Sequence, residues 1–470
     1  MLSEIISMID EIAWGPWMLL LLTGTGLYLS IRTGFPQFTR IPYWWKNTAG
    51  KLFRKHEAGE GEVTPFQALT TALAATVGTG NIAGVTGAIF IGGPGAVFWM
   101  WLAALLGMMT KYSEVLLAVR YRERNPKGDW VGGPMYYIKN GLGEKWKWLG
   151  SVFAVLASLA AFGIGNATQV QSIADAVNNA IDTFTGKTGS TFSLFGSDIR
   201  VSTFIIGCIV AVFVGLVLFG GIKRIGQVTE RLVPFMAAIY ILASLVVIVT
   251  NFRYIGTVFG MIFKGAFSPN AAIGGAFGIT MMTAIQKGVG RGCFSNEAGL
   301  GSAPIAHAAT SETNPVRQGL YGIFEVFMDT LVICTLTSFT VLTAYCAGKV
   351  DITWGVGGNG SNVALAISSV FGARIGSVII AVCLSLFALS TILSWSLYGT
   401  RCCEYIFGHK SVRIYQTVFI LFIIVGATMS LADAWNLADA LNGFMAIPNL
   451  IALLALSGTI VTLTKEHFGK

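Results

Sequence analysis

The charged side chains that could do chemistry in this sequence stand inside long apolar runs. Glu325 and Asp329 are one helical turn apart, so their carboxyl groups could carry a proton or a cation, or could bond loop amides. The sequence does not choose between these roles. Lys111 and Glu114 are three residues apart, which predicts a local ion pair on one helix face. Ionisable groups in apolar surroundings are candidates for function because burying them is costly.

Neutral polar side chains form two further groups. Asn166 and Gln169 are three residues apart, so a helix places both on one face. Their amides could hold the head group of a zwitterion, with Gln169 favoured, or could bond a neighbouring helix. Ser390 and Thr391 are adjacent hydroxyls that, taken alone, usually bond back to their own helix. The sequence contains no P-loop, HExxH or nucleophile-elbow motif, so we do not expect an enzyme.

The composition places these groups in a membrane protein. Of 470 residues, 54% are hydrophobic and only 11% are charged, whereas an ordinary soluble domain has about 25% charged residues. A chain of this length cannot cover a water-exposed surface with so few charges, which excludes a soluble globular protein. The 7 cysteines and 4 histidines lack the spacing of a metal or redox motif.

Eleven segments are apolar and long enough to span a hydrocarbon core of about 30 Å. Most of the 31 lysines and arginines fall in loops on one side of the resulting topology, and such residues favour the cytoplasmic side. We therefore expect a multi-pass protein of the plasma membrane with its N-terminus outside and its C-terminus cytoplasmic. The expected spans are residues 14–31, 65–90, 94–119, 149–178, 200–219, 231–250, 271–287, 320–346, 374–400, 411–431 and 441–464.

Glycine-rich stretches interrupt two of these spans. The second span contains Val77-Gly78-Thr79-Gly80-Asn81, and the seventh contains the stretch 274–280. Glycine destabilises a helix interior by about 1 kcal/mol relative to alanine, although small residues also let helices pack closely. Irregular backbone at membrane depth must line a cavity, and paired interruptions indicate the central site of a secondary transporter.

The two interrupted spans are five apart in the order of spans. When the first span is set aside, the others form two sets of five, and the second set starts from the opposite side of the membrane. This order predicts an inverted repeat, with an extra helix and linker in 1–64, a first repeat in 65–250 and a second in 271–464. Free amides at the breaks suit an anion and free carbonyls suit a cation.

Five short motifs together resemble those of a known family. They are Thr76-Val77-Gly78-Thr79-Gly80-Asn81-Ile82-Ala83-Gly84, the stretch 92–101, Gly132-Gly133-Pro134-Met135-Tyr136-Tyr137, Phe162-Gly163-Ile164-Gly165-Asn166 with Gln169, and the stretch 296–304. They resemble the alanine/glycine:cation symporters of the amino acid–polyamine–organocation superfamily. The resemblance implies an all-α, leucine-transporter-like 5+5 fold and sodium-coupled import of L-alanine or glycine by alternating access. It implies no cofactor beyond the coupling sodium ion, and no nucleic-acid partner.

The resemblance also implies a substrate site at the two broken spans. The amides of Thr79 and Gly80 match the part of helix 1 that meets the substrate carboxylate. On the opposite strip, Phe277 would cap an alanine-sized pocket, and Thr280 would bond the ammonium or carboxylate group. Trp395 lies one turn beyond the hydroxyl pair and would restrict the pocket to small side chains.

Two sodium positions follow from the same resemblance. Asn81 resembles a sodium ligand beside the substrate, although an asparagine at this place would also serve as a helix cap. The hydroxyls of Ser390 and Thr391 would face helix 1, where the carbonyls of Ala74 and Val77 complete the shell. Hydroxyl and carbonyl oxygens are ligands that hard cations prefer.

A proton-coupled carrier or exchanger of the same fold is the main alternative, and a channel is less favoured. Proton-coupled relatives often place a lysine from the fifth core helix at the second cation position. The span 231–250 contains no lysine, which favours sodium. The stretch 293–310 is too broken to span the membrane, and we expect it on the cytoplasmic side, packed against an inner gate.

Overall fold

Helices dominate the computed structural model, which describes residues 12–469 except 52–58, 60, 195–196, 268–279, 359 and 430. The first α-helices are α1 (Pro16–Thr33), α2 (Pro36–Thr39), α3 (Ile41–Asn47), α4 (Pro65–Thr76), α5 (Ala83–Gly92), α6 (Gly95–Arg120), α7 (Pro134–Tyr137), α8 (Lys147–Phe162), α9 (Thr168–Thr185), α10 (Val201–Leu218) and α11 (Gly221–Thr250). The later ones are α12 (Ile255–Phe267), α13 (Met281–Asn296), α14 (Ala303–His307), α15 (Pro315–Val326), α16 (Thr335–Cys346), α17 (Gly360–Phe371), α18 (Ala373–Phe407), α19 (Ser411–Thr428), α20 (Leu431–Ala455) and α21 (Ser457–Phe468).

Short irregular helices and two hairpins join these elements. Two antiparallel pairs form, β1 (Glu123–Arg124) with β2 (Trp130–Val131), and β3 (Thr191–Leu194) with β4 (Ser197–Arg200). The 3₁₀ turns are Ala49–Lys51, Thr79–Asn81, Glu144–Trp146 and Phe252–Tyr254. The π-helical turns are Ile138–Leu142, Gly163–Ala167 and Phe327–Cys334, and the last two lie within long helices. Such π turns often mark functional positions in helices.

The apolar helices agree with most of the expected spans. Within the described ranges, seven helices are long and apolar enough to cross a membrane, or nine when two bent pairs each count as one span. The bent pairs are 65–92, with a bend of 55°, and 439–468, with a bend of 58°. The expected span 14–31 forms α1, which is not among the nine, and 271–279 lies outside the described residues. The protein is therefore a helical, multi-pass membrane protein.

Helix α6 lies at the centre of the fold and carries a buried charge network. It packs against α1, α13 and α15, and both Lys111 and Glu114 on it are fully buried. The local Lys111–Glu114 ion pair expected from the sequence is replaced by a longer-range one. Lys111 Nζ lies 3.4 Å from Glu325 Oε1 on α15, and His307 Nε2 lies 3.2 Å from Glu325 Oε2. Glu114 accepts hydrogen bonds from the amides of residues 299 and 301, so the two charges on α6 serve different neighbours.

Close contact between α6 and α13 predicts an effect on stability. A Cβ atom at Gly288 would lie 2.3 Å from the carbonyl oxygen of Ala96 and 2.8 Å from Trp99 Cβ. Gly288→Ala should therefore lower the free energy of unfolding by about 1–3 kcal/mol through overpacking. Thermal unfolding of the purified protein in detergent measures the change. The control is Gly24→Ala, because a Cβ atom there meets nothing within 4 Å. Equal unfolding temperatures for the two variants would show that α6 and α13 do not pack this closely.

Candidate substrate and cation site

The first break, between α4 and α5, is made by local backbone chemistry. A capping box starts α4, because Thr64 Oγ1 accepts from the amide of Gln67 at 3.1 Å and Gln67 Oε1 accepts from the amide of Thr64 at 3.1 Å. The helix ends at Thr76, and a 3₁₀ turn at Thr79–Asn81 precedes α5. Asn81 Oδ1 accepts from the amide of Gly78 at 2.8 Å, so this asparagine caps the 3₁₀ turn that precedes α5.

Helix α18 approaches the end of α4 through two hydroxyls. Ser390 Oγ lies 3.2 Å and Thr391 Oγ1 lies 3.0 Å from the carbonyl oxygen of Ala74. Both hydroxyls also lie within 3.0 Å of the carbonyl oxygen of Phe387, so the expected bond to their own helix coexists with the contact to α4. The backbone of Gly78 passes so closely that a Cβ atom would lie 2.6 Å from Thr391 Oγ1. The structure thus brings together three of the four expected oxygens, those of Ala74, Ser390 and Thr391.

These oxygens form a donor set that suits a hard, monovalent cation. The two hydroxyls and the carbonyl of Ala74 carry no fixed charge, and Val77 is buried at the adjacent turn. A cation would compete for the same oxygen lone pairs that the hydroxyl protons now approach. The sulfur of Met236 on α11 lies 3.4 Å from Ser390 Oγ, so a neutral side chain from α11 borders this position. Oxygen ligands without a buried charge fit sodium better than a transition metal.

The sequence left the role of Asp329 open, and the structure places this carboxylate at the first break. Asn81 Nδ2 donates to Asp329 Oδ1 at 2.6 Å, and Thr330 Oγ1 donates to Oδ2 at 2.7 Å. Ser295 Oγ on α13 donates to the same carboxylate at 3.0 Å. Asp329 is fully buried, and among the described side chains no cation pairs with it. A buried carboxylate held by neutral donors alone has capacity to bind a positive charge.

A second break follows α13, at residues 297–302. Glu297 adopts a left-handed conformation with φ 54°, and Gly299 and Gly301 have φ of 97° and 81°. Glu114 Oε1 accepts from the amides of Gly299 and Gly301 at 3.0 and 3.1 Å, which satisfies backbone donors that the helix no longer pairs. This break lies within the stretch 293–310 that the sequence analysis expected at an inner gate. All of its residues are buried in the protein.

Gln169 contacts the first break, and Trp395 contacts the second. Thr79 Oγ1 donates to Gln169 Oε1 at 3.2 Å, so Gln169 faces the first break as expected. Trp395 is fully buried, and its Nε1 donates to Glu297 Oε1 at 3.0 Å. The tryptophan packs on the π turn before α9, where a Cβ atom at Gly165 would lie 2.1 Å from Trp395 Cβ. This contact leaves no room for a larger residue at position 165.

The structure does not bring the remaining expected residues to this position. The π turn Gly163–Ala167 separates Asn166 from Gln169, and Asn166 Nδ2 donates to the carbonyl oxygen of Phe419 on α19 at 2.8 Å. Asn166 therefore bonds a neighbouring helix. Thr280 is exposed and caps α13 by accepting from the amide of Thr283 at 3.2 Å. Phe277, with the rest of the stretch 274–279, lies outside the described residues.

Sequence reasoning missed two residues on α13, Phe294 and Ser295. A Cβ atom at Gly80 would lie 3.7 Å from the ring of Phe294, and Ser295 bonds Asp329 as described above. The motif at 296–304 could have indicated them, but the sequence predicts this stretch on the cytoplasmic side, away from the site. Its glycines at 299 and 301 mark the break that α13 leads into.

A cavity of about 480 Å³ begins at Thr79 and extends between α5, α9, α13 and the chain before α17. Its lining includes Ser172, Asp175, Lys287 and Arg291. Arg291 Nη2 pairs with Asp439 Oδ2 at 2.9 Å, and the guanidinium lies 5.3 Å from the ring centroid of Phe294. The first break is therefore reachable from a space large enough for a small amino acid.

Comparisons with known proteins agree with this geometry. The model of the sodium:alanine symporter family matches residues 1–470. The sodium/alanine symporter AgcS of Methanococcus maripaludis is 46% identical, over 98% of this chain and 96% of its own. The probable sodium/glutamine symporter GlnT of Bacillus subtilis is 34% identical, over 99% of this chain and 91% of its own.

A solved structure supports the fold. The crystal structure of MhsT in complex with L-phenylalanine superimposes with a TM-score of 0.59 at 16% identity, covering 86% of this chain and 90% of that chain. This likeness shows a leucine-transporter-like helical fold. Because the family model covers the whole chain, the protein belongs to the sodium:alanine symporter family and is a multi-pass, sodium-coupled amino-acid symporter rather than an enzyme.

Proposed function

We propose that this symporter imports L-alanine or glycine together with sodium by alternating access across the plasma membrane. The observation that carries the proposal is the contact of Ser390 and Thr391 with the carbonyl oxygen of Ala74 at the first break. It joins α18 to the broken helix through oxygen atoms alone, as a sodium-dependent closure requires. The N-terminus lies outside and the C-terminus in the cytoplasm in this proposal, following the basic loops.

The proposed architecture has eleven spans, with an extra N-terminal helix and two inverted repeats of five. The repeats are 65–250 and 271–464, and the N-terminal segment before them comprises residues 1–64. The break at 77–82 lies in the first helix of the first repeat. Its expected counterpart, the stretch 274–280, lies outside the described residues except for Thr280, and a further break at 297–302 follows α13.

The first sodium position is formed by Ala74, Val77, Ser390 and Thr391. Its neighbour on the fifth core helix is Met236, which carries no charge. A lysine there would supply a cation of its own and would favour proton coupling. The neutral methionine therefore supports sodium as the coupling ion over the proton-coupled alternative.

The second sodium position is formed by Asn81 and Asp329, with Ser295 in support. Asp329 is the acidic residue that contacts Asn81 in the described part of the chain. A cation bound here would neutralise a buried carboxylate and would be close to a substrate held at Thr79. This arrangement would link ion binding to substrate binding.

The proposed substrate position lies at Thr79 and Gly80. Amides at the break would meet the carboxylate group of the amino acid, as helix N-termini do for anions. Gln169 lies within hydrogen-bonding distance of Thr79. Trp395, which is buried and bonded to Glu297, would close the opposite side. The tight packing of Trp395 on Gly165 supports a small substrate such as alanine or glycine.

Uptake of labelled alanine into proteoliposomes tests the proposal directly. An inward sodium gradient should drive accumulation, and equal sodium on both sides should abolish it, because the free energy released as sodium moves down its gradient is needed to concentrate the substrate. Glycine should compete with alanine, whereas leucine and glutamine should compete weakly. Uptake that follows a proton gradient without sodium would contradict the coupling, and competition by glutamine equal to that by alanine would contradict the substrate.

The sodium positions predict the phenotype of two variants. Thr391→Val and Asp329→Asn should each raise the sodium concentration for half-maximal uptake by roughly tenfold, because each removes an oxygen or a charge worth about 1.5 kcal/mol. The matched control is Ser377→Ala, since Ser377 Oγ donates only within α18, to the carbonyl oxygen of Arg374 at 2.9 Å. If Ser377→Ala changes the sodium dependence as much as Thr391→Val does, these side chains do not bind the ion.

The proposed substrate contacts predict that variants at Gln169 and Thr280 differ in their KM for alanine. Gln169→Ala should raise the KM for alanine by roughly tenfold, because Thr79 loses its hydrogen-bond acceptor at the break. Thr280→Val should leave KM unchanged, because its hydroxyl is exposed and, among the described residues, bonds the following turn. The measurement is initial uptake rate against alanine concentration at saturating sodium. The opposite result would place the substrate near the start of α13.

A further inference from the structure

A second cavity lies where α10 turns into α11 and α18 turns into α19. Its volume is about 520 Å³. One side is basic and the other is apolar, a combination typical of sites between helices that take anionic lipid headgroups. The basic side is lined by Lys127, Arg401, His409, Lys410 and Arg413. The apolar side is lined by Leu218, Phe219, Ile222, Ile225 and Val412.

Part of the basic side is already neutralised inside the protein. Arg401 is buried and pairs with Glu404 at 2.6 Å and with Asp129 at 3.0 Å. His409 Nδ1 lies 2.7 Å from the same glutamate. These contacts fix the floor of the cavity and keep its arginine from moving out to solvent.

The remaining cations give the cavity a positive charge. Lys127, Lys410 and Arg413 are exposed, and none forms an ion pair with another described residue. Asp129, the acidic member of the lining, already serves Arg401. Three unpaired cations around one opening therefore attract an anion.

A buried hydroxyl offers a further donor to that anion. Thr400 is 5% exposed and lines the cavity, and its Oγ1 finds no hydrogen-bond partner among the described residues. A buried polar atom without a partner is costly. A phosphate oxygen at the floor of the cavity would accept the hydrogen bond that Thr400 can donate.

The apolar side of the cavity continues into a membrane-facing surface. Helices α10 and α19 pack against each other, and both start or end at the cavity. Side chains three to five residues apart on each helix point outward with roughly half or more of their surface exposed. On α10 and just beyond it they are Ile209, Val212, Leu216 and Phe219, and on α19 they are Ile414, Val418, Leu421 and Val425.

We propose that the cavity binds the phosphate group of an anionic glycerophospholipid, with the acyl chains lying along α10 and α19. The basic opening, the buried Thr400 hydroxyl and the apolar track are adjacent, and a lipid is the occupant that satisfies all three. A soluble phosphate would leave the apolar track unused. The site lies at the basic ends of these helices, where positive charge meets the headgroup region.

The test uses the full-length protein purified in detergent and titrated with phosphatidylglycerol. Binding is followed by native mass spectrometry and by the thermal unfolding temperature. Phosphatidylglycerol should remain bound and raise the unfolding temperature, whereas phosphatidylcholine and inorganic phosphate should do neither. In the triple variant Lys127→Gln, Lys410→Gln, Arg413→Gln, the apparent affinity for phosphatidylglycerol should fall by about tenfold or more.

The control removes the same charge from another region of the molecule. Lys187→Gln, Arg253→Gln and Lys264→Gln replace three exposed basic residues outside the cavity and should leave lipid binding unchanged. A loss of binding equal to that of the first triple variant would show that net charge alone attracts the lipid. Equal stabilisation by inorganic phosphate, or equal retention of phosphatidylcholine, would also overturn the proposal. Sodium-driven uptake is not needed for any of these measurements.

Discussion

Every backbone amide freed at the two helix breaks has to find a partner inside the protein, because the hydrocarbon core supplies none. At the first break the side chain of Asn81 accepts from the amide of Gly78. At the second break Glu114, on a different helix, accepts from the amides of Gly299 and Gly301. A nearby side chain thus accepts from the free amide of the first break, whereas a carboxylate on α6 accepts from those of the second. This difference makes the second break depend on the packing of the whole bundle.

The buried charges follow from the same constraint. Lys111 and Glu325 join α6 to α15, and the imidazole of His307 holds the far oxygen of that glutamate. Gln318 Nε2 approaches His307 Nδ1 at 2.8 Å, so the ring is fixed from both sides. Removing one member of such a buried pair leaves an uncompensated charge, which is strongly destabilising. The network therefore holds together α6, α14 and α15 beside the second break.

Asp329 differs from Glu325 because its partners are all neutral, as are the amides that Glu114 accepts from. It lies on a π turn and reaches Asn81 on the broken helix and Ser295 on α13. A single carboxylate thus contacts both interrupted helices. Asp329 has no ion-pair partner among the described residues and lies where ion and substrate are proposed to meet, whereas Glu325 pairs with Lys111.

The family resemblance indicated the oxygens at the first break, whereas the sequence by itself determined the membrane environment and the break. These depend on local properties, because few charges exclude water exposure and the glycines around Thr79 weaken the helix wherever it packs. Only the tertiary structure decided that 297–302 forms a break inside the core, that Lys111 pairs with Glu325, and that Asn166 turns away from Gln169. Those outcomes depend on the depth and rotation of helices far apart in the chain. The π turn Gly163–Ala167 and the bond of Glu114 to the amide of Gly299, 185 residues along the chain, are two examples. Nothing in the local sequence signals either of them.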